Sequence, residues 1–178
     1  MLEIELKVRV DSLGPVREKL IAQKARACGR VHEHDVYYNA PHRDFEKTDE
    51  ALRVRYTDRH GDAAVVTYKG PKIQEFELKA REELNTGIDS GRIFEQIIQK
   101  LGFVLVSEVD KVRENYRLGE ITVSLDTVDR LGTFVEIELA GEIDKKDAME
   151  QIKGIAQELG VEGEPILTSY LELLLSKR

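Results

Sequence analysis

The chain has 178 residues, with 34 acidic and 27 basic side chains and a formal net charge of −7 at pH 7. This length suits one domain, since a typical domain runs to roughly 100–150 residues. The negative balance argues against nucleic acid or an anionic membrane as the main partner. A charged fraction of 34% beside a hydrophobic fraction of 41% predicts a packed domain with surplus charge to place.

The single cysteine, Cys28, excludes an intramolecular disulfide framework and a multi-thiolate metal site, and it fits a reducing compartment. No apolar run approaches the roughly 20 residues of a membrane-spanning helix. The first residues lack the basic start, apolar centre and cleavage site of a secretory signal. We therefore expect a cytoplasmic protein without a membrane partner.

The first predicted elements are a strand, a helix and a second strand. Residues 2–10 alternate strictly between apolar and charged side chains, which predicts a strand. Residues 12–26 carry apolar side chains at helical spacing. Residues 32–39 read as another extended segment, which ends before Pro41 because a residue that precedes proline avoids the helical conformation.

The rest of the chain predicts more strands and helices. Alternating strands are predicted at residues 52–56, 63–69, 75–84, 103–117, 120–128 and 133–140. Helices are predicted at residues 90–101, 145–159 and 167–176. About eight strands, mostly joined by short turns, and four helices make an α+β fold whose antiparallel strands suffice to close a barrel. With no repeat or linker, residues 1–178 are predicted to form a single domain.

Charged side chains share one face in seven of these strands. The sets are Glu3, Glu5 and Lys7; Arg53 and Arg55; Thr67 and Lys69; Lys79, Arg81 and Glu83; Lys111 and Arg113; Ser124 and Asp126; and Glu136 and Glu138. For any single strand a solvated face is the ordinary interpretation. If amphipathic helices cover the apolar faces, however, the charged faces of a closed barrel all point inward.

An interior lined with both signs of charge indicates a ligand, because desolvated ions are destabilising unless partners compensate them. Carboxylates at alternate positions of a strand suit hard divalent cations, whose ligands are oxygens. Lysine and arginine side chains suit phosphate oxygens. Acids and bases in one cavity therefore indicate a metal-bound polyphosphate.

The segment Glu3-Ile4-Glu5-Leu6-Lys7 resembles the ExExK signature of the CYTH superfamily, the triphosphate tunnel metalloenzymes. Further motifs of this family follow in order at residues 52–55 (LRVR), 67–71 (TYKGP), 79–83 (KAREE), 111–113 (KVR), 125–128 (LDTV) and 131–138 (LGTFVEIE). Residues 69–72, 101–103 and 131–138 are most similar to the class IV adenylate cyclase branch. The resemblance covers nearly the whole chain.

The resemblance implies an eight-stranded antiparallel tunnel that binds a triphosphate with Mg²⁺ or Mn²⁺. By position, the implied metal ligands are Glu3, Glu5, Glu83, Asp126, Glu136 and Glu138. The implied phosphate-binding residues are Lys7, Arg53, Arg55, Lys69, Lys79, Arg81, Lys111 and Arg113. Glu83 is preferred to Glu82 because it shares a face with Lys79 and Arg81.

The resemblance also implies an enzyme, with Lys7, Glu136 and Glu138 as the catalytic residues. Neighbouring cations would lower the pKa of Lys7 and neighbouring carboxylates would raise it, so the sequence leaves its acid or base role open. The leading hypothesis is an adenylate cyclase that converts ATP to cyclic AMP and pyrophosphate. The alternatives are a triphosphatase acting on inorganic, thiamine or nucleoside triphosphate, and a noncatalytic polyphosphate-binding module, which would need fewer acids. A homodimer is the commonest arrangement among soluble oligomers.

Several other side chains have simpler interpretations. His32, His34 and Asp35 could bind zinc, but a histidine pair without further ligands is more often an exposed strand face. Asp35 and Tyr37 match an Asp-x-Tyr segment of the family, which leaves an inward role open for them. Residues 42–44 (HRD) resemble a kinase loop superficially and are predicted to form a turn.

Two residues near helices have packing as their ordinary role. Tyr170 belongs to an apolar helical stripe with Leu171 and Leu174, so packing is the first interpretation and substrate contact the second. Cys28 is expected to be a partly buried small apolar residue after a helix.

Overall fold

The computed structural model describes residues 2–73, 78–140 and 144–177, and eight antiparallel strands in it close into one barrel. The strands are β1 (Leu2–Arg9), β2 (Arg26–Asn39), β3 (Ala51–Thr57), β4 (Ala64–Lys69), β5 (Lys79–Ile88), β6 (Val104–Leu118), β7 (Ile121–Val128) and β8 (Gly132–Ala140). Their order around the barrel is β1-β5-β4-β3-β2-β6-β7-β8, and β8 pairs with β1 to close it. The predicted α+β fold with an eight-stranded antiparallel barrel is confirmed.

Five helices surround the described barrel. They are α1 (Gly14–Ala22), α2 (Phe45–Thr48), α3 (Gly91–Lys100), α4 (Lys145–Leu159) and α5 (Tyr170–Leu175). Four correspond to predicted helices and α2 is additional. It is a single turn that Asp44 caps by accepting a hydrogen bond from the backbone of Glu46, and one turn is too short to show a helical pattern in the sequence.

The apolar faces of the strands point outward and lie under the helices. Ile4 of β1 and Ile137 of β8 share one buried cluster with Ile152 of α4. Val54 of β3 shares another with Ile98 of α3. Because successive side chains of a strand point to opposite faces, the charged faces of the same strands point into the barrel. The hydrophobic core therefore lies between the barrel and the helices, and the charged side chains line the interior of the barrel.

The boundaries of several elements differ from the sequence predictions. Helix α1 ends at Ala22 rather than at residue 26, because Lys24 has a left-handed backbone (φ 56°) that turns the chain into β2. Cys28 consequently lies within β2 and is exposed, so the expectation of a partly buried position is wrong. Residues 74–77, at the start of the predicted strand 75–84, lie outside the described residues, and β5 begins at Lys79.

One end of the barrel carries the two shortest helices. At this end, which we call the α5 end, β1, β2, β4 and β7 finish and β3, β5, β6 and β8 begin. Helix α2 connects β2 to β3 there, and α5 lies beside it. Within the described ranges, no helix is long and apolar enough to cross a membrane.

Candidate active site

A cavity of about 400 Å³ runs inside the barrel, and most of the predicted site residues line it. These are Glu3, Glu5, Lys7, Arg53, Arg55, Lys69, Arg81, Glu83, Lys111, Arg113, Glu136 and Glu138. Glu82 is exposed and does not line the cavity, so Glu83 is the residue of this pair that faces inward. The side chain of Lys79 lies outside the described part of the structure.

Glu3, Glu83 and Glu138 form a carboxylate cluster in this cavity. Burial raises the pKa of Glu3 to about 8, and repulsion by Glu83 and Glu138 adds to the effect. Burial also raises the pKa of Glu138. Lys69 forms an ion pair with Glu83 and, against the effect of burial, holds the pKa of this carboxyl below its usual value. Carboxylates that lie this close repel one another, so their pKa values separate and one of the carboxyls holds a proton. A cation of higher charge at the same place would allow all of them to ionise.

The donor set of this cluster fits a hard divalent cation. Its ligands are all carboxylate oxygens, which Mg²⁺ and Mn²⁺ prefer, and a dication would relieve the repulsion that raises the pKa of Glu3. No group of three His, Cys, Asp or Glu side chains among the described residues is already arranged to hold a metal ion. Glu83 is instead paired with Lys69, and Glu5 and Glu136 are paired with Lys7, so metal binding at these carboxylates would require ion pairs to rearrange.

Lys7 is a buried cation held between two carboxylates. Its Nζ lies 3.1 Å from Oε1 of Glu5 and 3.2 Å from Oε1 of Glu136, and it donates a hydrogen bond of 3.2 Å to the carbonyl of Thr168. Burial alone would lower the pKa of this amine, but Glu5 and Glu136 together raise it above its ordinary value. The direction of the Lys7 pKa shift, which the sequence left open, is therefore upward, and Lys7 stays charged in this arrangement.

A second ionic network joins β2, β3 and β6. Arg55 donates to both oxygens of Asp35, at 2.6 and 2.8 Å, and Nζ of Lys111 donates to Oδ2 of Asp35 at 3.0 Å. Glu33 is buried beside them, with Oε2 at 2.8 Å from Lys111 Nζ. Burial together with Arg55 and Arg113 lowers the pKa of Lys111. The sequence placed Arg55 and Lys111 in the site, whereas Glu33 was missed as their partner.

Arg53 and Arg81 present buried donors that lack partners among the described residues. Arg53 uses one terminal nitrogen to donate to Thr67 at 3.0 Å, and one terminal nitrogen of Arg81 lies 3.6 Å from Asp49. The Nε of each guanidinium is buried, and none of the residues that the structure describes accepts a hydrogen bond from it. Unsatisfied buried donors are rare in proteins and mark places where a ligand or water completes the bonding. Both arginines line the cavity, so an anion there would satisfy them.

Asp126 points inward but lies behind Arg113. Arg113 donates to its two oxygens at 2.7 and 2.5 Å and also bonds to Glu136. The hydroxyl of Tyr170 donates to the same carboxylate. Asp126 is fully buried and does not line the cavity. Its contacts make it an anchor for Arg113, and a role as metal ligand stays a prediction.

The chain matches the CYTH domain family over residues 1–170. Together with the charged interior of the barrel, this match assigns the chain to a family. The chain belongs to the CYTH family.

Similar proteins agree with this assignment. "Putative adenylate cyclase MJ0240" of Methanocaldococcus jannaschii is 39% identical over 97% of this chain and 98% of its own. The structure of the PH1819 protein from Pyrococcus horikoshii is 36% identical, with a TM-score of 0.84 and 99% of both chains covered. At 21% identity and a TM-score of 0.72, HpAC1 from Hippeastrum shares the fold, with 99% of this chain and 96% of that chain covered. HpAC1 is described as a "putative adenylyl cyclase" with "a dominant triphophatase activity".

The remaining candidates of the sequence lie outside the CYTH tunnel or in its wall. His34 lies 3.0 Å from Asp110 on the outer face of β2, while Asp35 points inward, so these residues do not form a joint zinc site. Asp44, of the HRD segment, caps α2. Tyr170 packs edge-on against Phe134 at 5.0 Å between ring centroids and also lines the cavity, so the packing contact is present and substrate contact stays a prediction.

Proposed function

We propose that this CYTH protein is a divalent-metal-dependent enzyme that binds a triphosphate inside the barrel and transfers a phosphoryl group. The observation that carries the proposal is the presence, in one cavity, of a crowded carboxylate cluster and of two arginines with unsatisfied buried donors. A dication would compensate the carboxylate cluster, and an anion would accept hydrogen bonds from the two arginines. A triphosphate with its metal supplies both.

The residues of the tunnel have distinct roles in this proposal. Glu3, Glu5, Glu83, Glu136 and Glu138 would hold Mg²⁺ or Mn²⁺, which neutralises phosphate charge when bound. Arg53, Arg55, Lys69, Arg81, Lys111 and Arg113 would bind phosphate oxygens, with Lys79 as a further predicted member. Phosphoryl transfer depends mainly on positioning and on charge stabilisation, and preformed ion pairs hold these cations in place before substrate arrives. Lys7, which remains protonated, contributes positive charge at the reacting phosphates.

We favour the adenylate cyclase reaction. In this reaction the 3′-hydroxyl of ATP attacks the α-phosphorus, the new O–P bond forms, and the bond to the β-phosphate oxygen breaks. The hydroxyl proton passes to a base, and pyrophosphate leaves with the electron pair. The name of the M. jannaschii relative, at 39% identity over nearly the whole chain, supports this choice.

A triphosphatase is the second candidate. Here a water oxygen attacks the terminal phosphorus, the bond from that phosphorus to the bridging oxygen breaks, and the water proton passes to a base. Orthophosphate forms, the remaining diphosphate leaves with the electron pair, and the same cations would stabilise its charge. The triphosphatase activity described for HpAC1 from Hippeastrum, a protein of this fold, supports it. A noncatalytic module would not require the carboxylate cluster.

One assay separates these candidates. The purified protein is incubated with ATP, thiamine triphosphate or inorganic triphosphate, with Mg²⁺ or Mn²⁺, and the products are resolved by chromatography. Cyclic AMP with pyrophosphate supports the cyclase, and released orthophosphate supports the triphosphatase. Binding of these compounds without any product would contradict an enzymatic function and leave the binding module.

A further inference from the structure

The inner face of β6 continues beyond the cavity, toward the end of the barrel opposite α5, which we call the far end. Lys111 and Arg113 line the cavity, and Asn115 and Arg117 follow at the next two positions on the same face. The register between β6 and β7 is regular over this stretch, so the alternation is not broken. Neither Asn115 nor Arg117 lines the cavity, and Arg117 is exposed where β6 ends. Its Nη1 donates to the hydroxyl of Thr122 on β7 at 3.3 Å.

A break in strand pairing places a second arginine beside Arg117. Arg26, the first residue of β2, is directly opposite Arg117 in the pairing of β2 with β6. Strict alternation from Glu33, which lies on the inner face opposite Lys111, would put Arg26 on the outer face. The register shifts at Cys28, between residues 27 and 29, and this bulge brings Arg26 to the inner face. Side chains that are directly opposite have Cβ atoms about 5 Å apart, so two positive charges are held close together.

A third arginine reaches the far end from the turn that follows β3. Arg59 donates from Nη2 to the carbonyl of Arg30 at 2.5 Å. Its guanidinium lies against the backbone of Gly29, where an added Cβ would come within 2.7 Å of Nη2. Gly29 is one same-face step along the ladder of β2 and β6, about 7 Å, from the pair of Arg26 and Arg117. We call Arg26, Arg59 and Arg117 the arginine cluster.

The carboxylates near the arginine cluster do not neutralise it. Glu114 accepts two hydrogen bonds of 2.9 Å from Arg17, on the outer side of the barrel. Asp58 accepts from the backbone nitrogen of His32 at 3.3 Å. Glu120 is exposed in the turn between β6 and β7. Within the described ranges, no carboxylate forms an ion pair with a member of the cluster.

A bound anion would compensate this concentration of positive charge. Like charges directly opposite each other in a sheet repel, and the repulsion of Arg26 and Arg117 has no acidic partner to offset it. The chain as a whole carries a net charge of −7, so the positive charge is a local feature. Guanidinium groups bind phosphate through pairs of parallel hydrogen bonds. A small phosphate compound fits the cluster, whereas nucleic acid would be repelled by the rest of the chain.

We propose that the arginine cluster is a second anion site, which binds inorganic pyrophosphate outside the tunnel. Pyrophosphate is a product of the cyclase reaction, so the choice of this ligand rests on the proposed function, whereas the anion site itself does not. Glu33 lies between the cavity and the cluster along β2, and it pairs with Arg55 at 3.0 Å and with Lys111 at 2.8 Å. Pyrophosphate at the cluster therefore leaves the tunnel free for triphosphate.

Isothermal titration calorimetry with pyrophosphate and Mg²⁺ tests the proposal through the number of sites. The native protein should bind two pyrophosphates per chain, one in the tunnel and one at the cluster. The double variant Arg26→Gln, Arg117→Gln should bind one, and so should the double variant Arg53→Gln, Arg81→Gln, which keeps the cluster. Arg130→Gln, at an exposed arginine in the turn between β7 and β8 at the α5 end, removes the same charge and should still bind two. Sulfate at the same ionic strength should bind the cluster at least about tenfold more weakly than pyrophosphate.

Other outcomes would overturn the inference in distinguishable ways. Unchanged binding in the Arg26→Gln, Arg117→Gln variant would remove the cluster as a pyrophosphate site while the tunnel site stands. Equal binding of sulfate would reduce the cluster to a general patch of positive charge. A single native site that only this variant loses would support the cluster and contradict the tunnel site, and no binding to the native protein would contradict both.

Thermal unfolding checks that a loss of binding is not a loss of fold. Without ligand, the Arg26→Gln, Arg117→Gln variant should unfold at the native temperature or slightly above it, because the substitutions remove a repulsion between exposed side chains. Pyrophosphate should raise the unfolding temperature of the Arg53→Gln, Arg81→Gln variant, since a ligand that binds only the folded state stabilises it. No such rise in that variant would contradict a site at the far end.

Discussion

The hydroxyl of Tyr170 on α5 donates a hydrogen bond of 2.8 Å to Oδ2 of Asp126 in β7. The ring of the same tyrosine lies 4.4 Å from Nζ of Lys7, at cation–π distance. Asp126 in turn holds the guanidinium of Arg113 through two further bonds. Tyr170 of α5 thus orients Asp126, and Asp126 in turn positions Arg113, a predicted phosphate-binding residue.

Removing this hydroxyl should therefore affect both stability and catalysis. We expect Tyr170→Phe to lower the free energy of unfolding by about 2 kcal/mol, because a buried carboxylate loses one donor. The Michaelis constant for the triphosphate should rise on the order of tenfold, because Arg113 is less well positioned. Urea denaturation and steady-state kinetics measure the two effects.

Tyr116→Phe is the matched control, since the hydroxyl of Tyr116 contacts Glu114 at 3.5 Å outside the tunnel. It should leave the Michaelis constant unchanged. If Tyr170→Phe behaves in the same way, Tyr170 only fills space.

The carboxylates of β8 should be essential for turnover. Glu136→Gln and Glu138→Gln keep the size of the side chain and remove its charge, so each should lower the rate at saturating substrate and metal by at least about 100-fold. The far-ultraviolet circular dichroism spectrum should stay the same. Glu114→Gln, which alters a carboxylate paired with Arg17 outside the barrel, is the control and should keep full activity. Full activity in both β8 variants would remove these residues from the proposed metal site.

The unsatisfied arginines should contribute to binding more than to stability. Arg53→Gln and Arg81→Gln should each weaken the binding of inorganic triphosphate roughly tenfold or more, because a charge-assisted donor is lost. The ligand-free protein should lose little stability, because each substitution also removes a buried Nε donor that has no acceptor in the described part of the chain. Calorimetric titration and thermal unfolding report the two quantities. The exposed residue Arg92 provides the control substitution, Arg92→Gln. A large loss of stability without a loss of affinity would assign the arginines a structural role instead.

Glu33 should make the protein sensitive to acid. Burial would raise its pKa, but Arg55, Lys111 and Arg113 outweigh this effect and hold it at about 2. Because the folded value lies below the ordinary value of about 4.3, the stabilisation is complete above that pH. It is lost as the pH falls toward 2, and it amounts to about 3 kcal/mol.

Urea denaturation at a series of pH values measures this loss. In Glu33→Gln the fall in stability between about pH 5 and about pH 2 should be smaller, because the titrating group is gone. The control Glu120→Gln, at an exposed turn, should retain the full slope. An unchanged slope in Glu33→Gln would show that this carboxylate is not held ionised by its neighbours.

The inward charges could be predicted because strand alternation is a local property. The pattern of Glu3, Glu5 and Lys7 fixes their common face whatever the strand pairs with. The partners of these charges depend on register between distant strands. Lys7 is opposite Glu136 in the pairing of β1 with β8, and Glu136 adds to the effect of Glu5, on the same strand, in raising the pKa of Lys7.

Other parts of the site could not be predicted from the sequence, because they also depend on contacts between distant segments. Glu33 lies between His32 and His34, whose spacing suggested a zinc pair. Its buried role depends on its pairing with Lys111 between β2 and β6, which the sequence does not show. At the α5 end, the one-turn helix α2 and the break in β2–β6 register between Tyr37 and Tyr38 have no periodic signature in the sequence. Sequence therefore located the tunnel walls, and the structure added the ion pairs and the α5 end.

Metal and triphosphate meet inside the barrel in the function that we propose. The most direct test is an anomalous difference map from crystals grown with Mn²⁺ and inorganic triphosphate. We expect a manganese peak within reach of Glu3, Glu83 and Glu138, and phosphate density beside Arg53 and Arg81. Manganese and phosphate bound on the outer surface, with the ion pairs of the tunnel undisturbed, would contradict this proposal.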